Sequence, residues 1–221
     1  MYEGRKTFAI IPAAGSGSRM GLPYSKLLCQ LQGEEILIKT FRALAQDNWC
    51  DTFILACRST DREQFSVLLN TLNVAIEFVE GGQSRQESVR NALCHLKKQH
   101  NPSDDSLVLV HDAARTFVSP DLISRCLASA AISGATTAAV NCVDTIYQVD
   151  SQERLIKPLL ERKQLRAIQT PQVFRFDLLW QAHQNSSLRA SDDAGLVSQI
   201  AEVVCIEGEV ANIKVTLPSD L

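Results

Sequence analysis

Short, uninterrupted apolar runs alternate with segments of helical period, and this alternation constrains the fold more than any other feature. Phe8–Ile11, Thr52–Cys57, Val74–Val79, Leu107–Val110 and Ala135–Val140 read as strands, and the continuous apolar character of Leu107–Val110 is that expected in the middle of a parallel sheet covered on both faces. Between them, Ile36–Gln46 carries apolar residues at 37, 38, 41, 44 and 45, a helical period. Thr60-Asp61-Arg62-Glu63 has capping-box spacing and heads a segment with Phe65, Leu68, Leu69 and Leu72 on one face. Ser84-Arg85-Gln86-Glu87 repeats that signature before a stripe of Val89, Ala92, Leu93 and Leu96. Ser119-Pro120 supplies a cap and an N1 proline to a helix that ends at Gly134. Four strand–helix alternations in about 140 residues predict an α/β fold, a mostly parallel sheet covered by helices.

In such sheets ligands bind at the C-terminal ends of the strands. The candidate groups fall there: Gly15–Arg19 after the first strand, Gly82 and Ser88 after the third, His111-Asp112 after the fourth. Residues 143–166 break the pattern. Asp144–Val149 alternates like an exposed strand, Asp150-Ser151 suggests a turn, and Arg154–Arg166 is rich in charge, so an extended arm is expected. Helical segments near Phe176–Gln184 and Asp193–Ile200 then return to the core, and Val203–Ile206 and Asn212–Thr216 read as final strands. No repeat or linker divides the chain. The expectation is one domain over 1–221 with an arm at approximately 142–166.

The first loop carries the strongest chemical signal. Phe8–Ile11 opens into the small residues Ala13 to Ser18, followed by Arg19 and Lys26. Small side chains let a ligand approach the backbone, and Gly15 and Gly17 permit the conformations that aim several N–H groups at one point. With two cations beside it, such a loop suits a polyphosphate. It is not a Walker A loop, because Ser25 stands where glycine must precede the lysine. It is not the dinucleotide fingerprint either, because Met20 stands at the third glycine position. The plainer reading, an ordinary tight turn after a strand, weighs nearly as much on the loop alone, and Arg19 and Lys26 shift the balance.

Composition narrows the partners. The net charge is −3, from 22 basic and 25 acidic residues, and the basic runs stop at Lys97-Lys98, so a broad nucleic-acid face is not expected. No run approaches a membrane span or a signal-peptide core. The seven cysteines are scattered, with no Cys-x-x-Cys pair, and read as reduced thiols packed as small apolar groups. A cytoplasmic protein is expected.

Six motifs in order carry a closer likeness. Pro12-Ala13-Ala14-Gly15-Ser16-Gly17-Ser18-Arg19-Met20 with Lys26 opens the chain, followed by Gly81-Gly82 with Arg85 and Ser88. Then come His111-Asp112-Ala113-Ala114-Arg115, Asp144-Thr145, Thr170-Pro171-Gln172 and Asn212-Ile213-Lys214-Val215-Thr216. Over nearly its whole length the chain resembles the 2-C-methyl-D-erythritol 4-phosphate cytidylyltransferases. The resemblance implies a Rossmann-like nucleotidyltransferase fold, dimerisation through the arm, and transfer of CMP from CTP to methylerythritol phosphate in non-mevalonate isoprenoid synthesis. It implies that Arg19 and Lys26 stabilise the transition state, and that Lys214 and Arg162, the latter from a partner's arm, position the substrate phosphate. It further implies a nucleotide site of Pro12, Ala13, Ala14, Gly15, Ser16, Gly17, Gly82, Gln83, Ser88 and Ala113. Asp112, Thr145, Thr170 and Ser191 would join Arg162 and Lys214 around the sugar phosphate, with Asp112 also serving a divalent cation, Mg²⁺.

The residue types make chemical sense. A phosphate monoester, with a second pKa of about 6, is already an anionic nucleophile at neutral pH. No general base is required. The difficulty is repulsion between anions and charge gathering on the leaving pyrophosphate, which cations and Mg²⁺ relieve. Plainer readings stand beside these: Asp112 as a turn cap, His111 as a structural hydrogen bonder, Ser88 as first-turn filler, Arg162 as solvated charge, and Lys214 as an edge lysine. The chain departs from the family pattern at Ser25-Lys26-Leu27-Leu28, at Gln83 where Asp is common, and at Ser191-Asp192-Asp193 where Thr-Asp-Glu is common; relatives usually continue past the position of Leu221 into a terminal helix. The rival substrate is ribitol 5-phosphate, whose enzymes tend to show Ala-Gly-Gly and His-Asp-Ala-Val-Arg; Ala13-Ala14-Gly15 and Ala113-Ala114-Arg115 favour methylerythritol phosphate. A non-catalytic nucleotide-binding regulator would be expected to lose the cations or Asp112, and all are present.

Overall fold

The computed structural model describes residues 1–15, 20–156, 161–185 and 187–221. In chain order its elements are β1 (Thr7–Pro12), β2 (Gln30–Leu31), β3 (Glu34–Glu35), α1 (Ile36–Leu44), β4 (Thr52–Cys57), α2 (Ser59–Leu69), β5 (Ile76–Glu80) and α3 (Arg85–His100). They continue with β6 (Leu107–Val110), α4 (Pro120–Ser133), β7 (Ala135–Asn141), β8 (Arg166–Arg175), α5 (Phe176–Gln184), α6 (Asp193–Val197) and β9 (Val204–Glu207). β2 and β3 form a separate small hairpin. The other strands form one sheet in the order β5-β4-β1-β6-β8-β7-β9. β8 runs antiparallel to β6 and β7, and the remaining neighbours are parallel.

The apolar runs are continuous because both faces of the sheet are covered. Phe8, Ile10, Ile54, Ala56, Val108 and Val110 pack with Val89, Leu93 and Leu96 of α3 and Phe176 and Leu179 of α5. Their alternates Ala9, Ile11, Phe53, Leu55, Leu107 and Leu109 pack with Phe41 of α1, Phe65 of α2 and Leu122 and Leu127 of α4. The period of two along each strand thus feeds two cores at once. From β1 the sheet grows outward to β4 and β5 on one side and to β6 on the other. The loops after β1 and β6 therefore diverge at a topological switch point, where open α/β sheets leave a crevice.

Local signals set several boundaries as expected. Ser84 accepts a hydrogen bond from the Glu87 N–H at 3.0 Å, and Ser119 accepts from Leu122 N–H at 3.0 Å. Such caps stabilise by about 1 kcal/mol each. Gly134 closes α4 in the left-handed region, φ 85°, which glycine adopts without cost.

Other expectations are corrected. α2 starts at Ser59 without a side-chain cap, because the Asp61 carboxylate pairs with Arg58 at 2.6 Å and Glu80 of β5 accepts from the Ser59 N–H. β5 begins at Ile76, later than Val74, since it is an edge strand paired with β4 alone. Among the described residues of the arm, Asp144–Val149 forms no strand, and one bridge joins Val149 to Leu155. Asn212–Thr216 is not a strand: Asn212 and Val215 are buried, a spacing of three that hugs the loop after β6. β8 is not among the expected strands, and Pro171, which lacks a ladder donor, lies within it. The strand accommodates it at an irregularity, where the register with β7 shifts between Thr137 and Ala139.

The seven cysteines are free thiols; Cys29, Cys57 and Cys126 are buried as small apolar groups, whereas Cys94 and Cys205 are exposed. Among the described residues no helix is long and apolar enough to cross a membrane.

Candidate active site

A groove of about 380 Å³ lies at the switch point. Its floor is the small-residue loop after β1, Pro12 to Gly15. The loop is anchored by the Ala13 N–H, which donates to the Ala56 carbonyl of β4 at 2.7 Å. Opposite stands the loop after β5. A Cβ on Gly81 would lie 2.3 Å from the Ala14 Cβ, so any side chain at 81 would push the two loops apart. The glycine is required by close approach, not by a special φ.

The start of α3 forms one wall with Gly82, Gln83, Arg85 and Ser88. Ser88 is 2% exposed, donates to the Ser84 carbonyl at 2.9 Å and accepts from the Gly82 N–H at 3.0 Å. It is more than first-turn filler: it ties the glycine turn to the helix. Glu87 completes the cap by accepting from the Gln83 N–H at 2.7 Å, one residue before the position a capping box would use.

The loop after β6 brings Asp112, Ala113 and Ala114 into the groove, and the C-terminal segment lies along it. Val215 N–H donates to the Ala114 carbonyl at 2.9 Å, and Lys26 Nζ donates to the Val215 carbonyl at 2.6 Å. Lys26 and Lys214 are thereby held on the same rim. The described lining residues include three cations, Lys26, Arg85 and Lys214, and one carboxylate, Asp112. An excess of cation over a backbone-rich floor favours a polyanion.

Asp112 is the electrostatic centre. Its Oδ1 accepts from Arg85 Nε at 3.1 Å and its Oδ2 from Lys214 Nζ at 2.7 Å, with Arg115 Nε at 3.8 Å. Burial opposes ionisation, but the Arg85 guanidinium and the Lys214 ammonium outweigh it and hold the carboxyl well below the usual range. Arg85 is shared with a second buried carboxylate, Asp193, at 2.5 Å. Asp193 and its partner His183 are not among the site residues expected from the sequence, since their link to the groove runs through Arg85 and crosses three elements.

His111 is fully buried. Its Nε2 donates to the Arg115 carbonyl at 2.9 Å, so Nδ1 is left to accept from the Thr170 hydroxyl at 3.1 Å. Burial pushes its imidazole down to about 4, so it is neutral at physiological pH and structural, as its plainer reading held. The Thr170 oxygen in turn accepts from the Asp112 N–H at 3.0 Å. Thr170 is 3% exposed behind the Asp112 backbone and is not a wall of the groove. Ser191 is exposed and does not line it. Thr145 and Arg162 lie exposed on the arm, where Arg162 donates to the Val143 carbonyl at 3.0 Å. Ser16, Gly17 and Arg19 lie outside the described residues.

Among the described residues no cluster of three His, Cys, Asp or Glu side chains forms a metal cage. A lone carboxylate beside a polyanion site still suits Mg²⁺, which commonly takes one or two carboxylates together with substrate phosphates.

Comparison with known proteins matches residues 7–221 to the model of the 2-C-methyl-D-erythritol 4-phosphate cytidylyltransferase family. A protein of that name from Bacillus cytotoxicus is 40% identical over 218 residues, 96% of this chain and 93% of the relative. The crystal structure of 4-diphosphocytidyl-2C-methyl-D-erythritol synthase from Anaerococcus prevotii superposes with a TM-score of 0.83 at 27% identity, covering 99% of this chain and 95% of that one. The 2-C-methyl-D-erythritol 4-phosphate cytidylyltransferase of Thermus thermophilus gives a TM-score of 0.74 at 31% identity, with 97% and 95% covered.

Proposed function

The chain belongs to the 2-C-methyl-D-erythritol 4-phosphate cytidylyltransferase family, and from that premise we infer the work of its groove. The enzyme is a nucleotidyltransferase of Rossmann-like fold that transfers the cytidylyl group of CTP to 2-C-methyl-D-erythritol 4-phosphate and releases pyrophosphate. The observation that carries the assignment of residues is the meeting of a small-residue loop, three cations and one carboxylate at the switch point.

CTP lies over Pro12–Gly15, with its base and ribose toward Gly82, Gln83, Ser88 and Ala113. Its triphosphate reaches toward Lys26 and, in the reading of the first loop, Ser16, Gly17 and Arg19. The methylerythritol phosphate enters along the rim of Asp112 and Lys214. Its phosphate oxygen attacks the α-phosphorus, the bond to the β-phosphate bridging oxygen breaks, and pyrophosphate leaves with that electron pair. No proton has to be removed first, which agrees with a neutral, buried His111 that cannot serve as a base. Lys26 and Arg19 neutralise charge that grows on the α-phosphate oxygens and the leaving group. Asp112 would be the protein carboxylate that holds Mg²⁺, an ion that would supply positive charge against the phosphates.

The remaining assignments concern a homodimer. Arg162 is folded against its own arm, and Val143, Val149 and Leu155 of the arm are 83%, 48% and 64% exposed. Apolar side chains clustered on a projecting segment favour a covering partner. In this reading Arg162 and Thr145 act on the partner's sugar phosphate, and Ser191 contacts it from the rim. Thr170 acts behind the site, through the hydroxyl that holds the Asp112 backbone.

The assay that tests the function is pyrophosphate release with CTP and Mg²⁺. Methylerythritol phosphate is expected to support turnover far better than ribitol 5-phosphate; equal rates, or a preference for ribitol, would overturn the substrate. The dimer is tested by complementation. Mixed Arg162→Ala and Lys26→Ala chains, each inactive alone, are expected to recover part of the activity, because one site in the hybrid keeps both residues. No recovery with subunit exchange demonstrated would remove Arg162 from the partner's site.

A further inference from the structure

Behind the groove's carboxylate stands a second one that no ligand can reach. Asp193, in the first turn of α6, is 1% exposed and lines no part of the groove. It does not cap its helix, since Asp192 does so by accepting from the Gly195 N–H at 2.8 Å. Its Oδ1 meets Nε2 of the buried His183 of α5 at 2.8 Å, and its Oδ2 accepts from Arg85 at 2.5 Å. Burying an ionised carboxylate is expensive. Something other than helix formation must account for it.

The setting of Arg85 gives the reason. Beside a carboxylate, a guanidinium favours two parallel hydrogen bonds. Arg85 instead gives Nε to Asp112 and Nη1 to Asp193, and its Nη2 is buried without a partner. That orphan nitrogen marks an arginine held between two anions. Asp112 consequently receives a single bond from Arg85, and its other oxygen is left for Lys214 at 2.7 Å.

We propose that Asp193 is a positioning residue for cytidylyl transfer: by drawing Arg85 toward α6, it keeps one oxygen of Asp112 available to Lys214 and to the incoming ligand. His183 supports it by occupying the other Asp193 oxygen. Without Asp193, Arg85 turns onto Asp112 with two bonds, displaces Lys214 and withdraws the carboxylate from the groove. The proposal rests on the reading of the groove as the transfer site.

Asp193→Asn, which keeps the shape and removes the charge, tests it in the full-length enzyme. CTP-binding stoichiometry by calorimetry counts intact sites, and kcat per site is expected to fall by about tenfold or more, as for other groups that orient a ligating residue. Asp193→Glu is expected to recover most of that loss. In a Lys214→Met background the same substitution is expected to cost much less, because the residue it protects is gone. A structural role would give additive losses. Independently of turnover, acetylation of Lys214 followed by mass spectrometry is expected to run several-fold faster in Asp193→Asn, because the ammonium has left its carboxylate; Asp112→Asn sets the scale. Wild-type kcat per site, additive losses or unchanged labelling would each overturn the proposal. If Asp193→Asn does not fold, Arg85→Lys takes its place, since lysine keeps the charge but cannot span both carboxylates. Wild-type kcat and labelling in that variant would overturn the proposal equally. A wild-type enzyme that releases no pyrophosphate from CTP and methylerythritol phosphate would sink the reading of the site, while the labelling comparison would still judge the arrangement of Arg85.

Discussion

Lys26→Met is expected to lower kcat by about a hundredfold to a thousandfold while changing CTP affinity little, the cost of removing a preorganised donor from a developing anion. The residue is placed for that role by local structure. Ser25 caps the 3-10 turn Lys26–Leu28, buried Leu27 anchors it, and the ammonium is held on the Val215 carbonyl at 2.6 Å. Charge already present on the triphosphate is shared among several cations and N–H groups, so the ground state loses little. Charge that appears at the α-phosphate during attack has fewer partners, so the transition state loses more. Methionine keeps the unbranched stem and its packing. Single-turnover kinetics alongside CTP titration separate the two quantities. A kcat within about threefold of wild type, well short of the loss expected for such a donor, would take Lys26 out of the chemistry.

Asp112→Ala is expected to destabilise the protein by about 3 kcal/mol as well as to abolish efficient turnover, because it strands buried cations. Arg85 and Lys214 both lose a partner, and Arg115 loses the carboxylate 3.8 Å away. The lysine contributes less, since its side chain is 37% exposed and water screens it. Arg85 contributes most, as it is left with Asp193 alone. Asp112→Asn keeps an acceptor for one of these cations and is expected to lose less stability, yet to remain impaired because the charge is gone. Urea denaturation with an unchanged m-value measures the difference. An alanine variant as stable as wild type would mean that the cations find other partners, and the groove's electrostatics would need a different centre.

How much of this was legible in the chain depends on the range of the interaction. Ser84, Ser119, Pro120 and Gly134 act within one helical turn, so their caps could be read from neighbours a few residues away. Phe8–Ile11 and Leu107–Val110 announce doubly covered strands because each residue alone declares itself apolar. The loops expected to face a ligand followed from strand ends, and Pro12–Gly15, Lys26, Gly82, Gln83, Ser88, Asp112, Ala113 and Lys214 line one groove. What misled was local evidence overruled from a distance. The capping box at Thr60 yielded to an ion pair with Arg58. Asn212–Thr216 looked like a strand and became a strap whose partners are the Ala114 carbonyl and the Lys26 ammonium.

Periodicity and residue type were enough for the fold class, for the end of the sheet where the groove forms and for a phosphate-bearing substrate. These follow from periodicity, from strand order of the βα kind and from the residue types placed at strand ends. The job of each polar group was set by its partners in the folded chain. Thr170 faces inward because its hydroxyl is shared between His111 and the Asp112 N–H. Arg85 is divided between carboxylates 27 residues and 108 residues away. Hydrophobic pattern is a property of each residue in turn. A hydrogen-bond partner or an ion pair is a property of two residues, and folding alone brings them to about 3 Å.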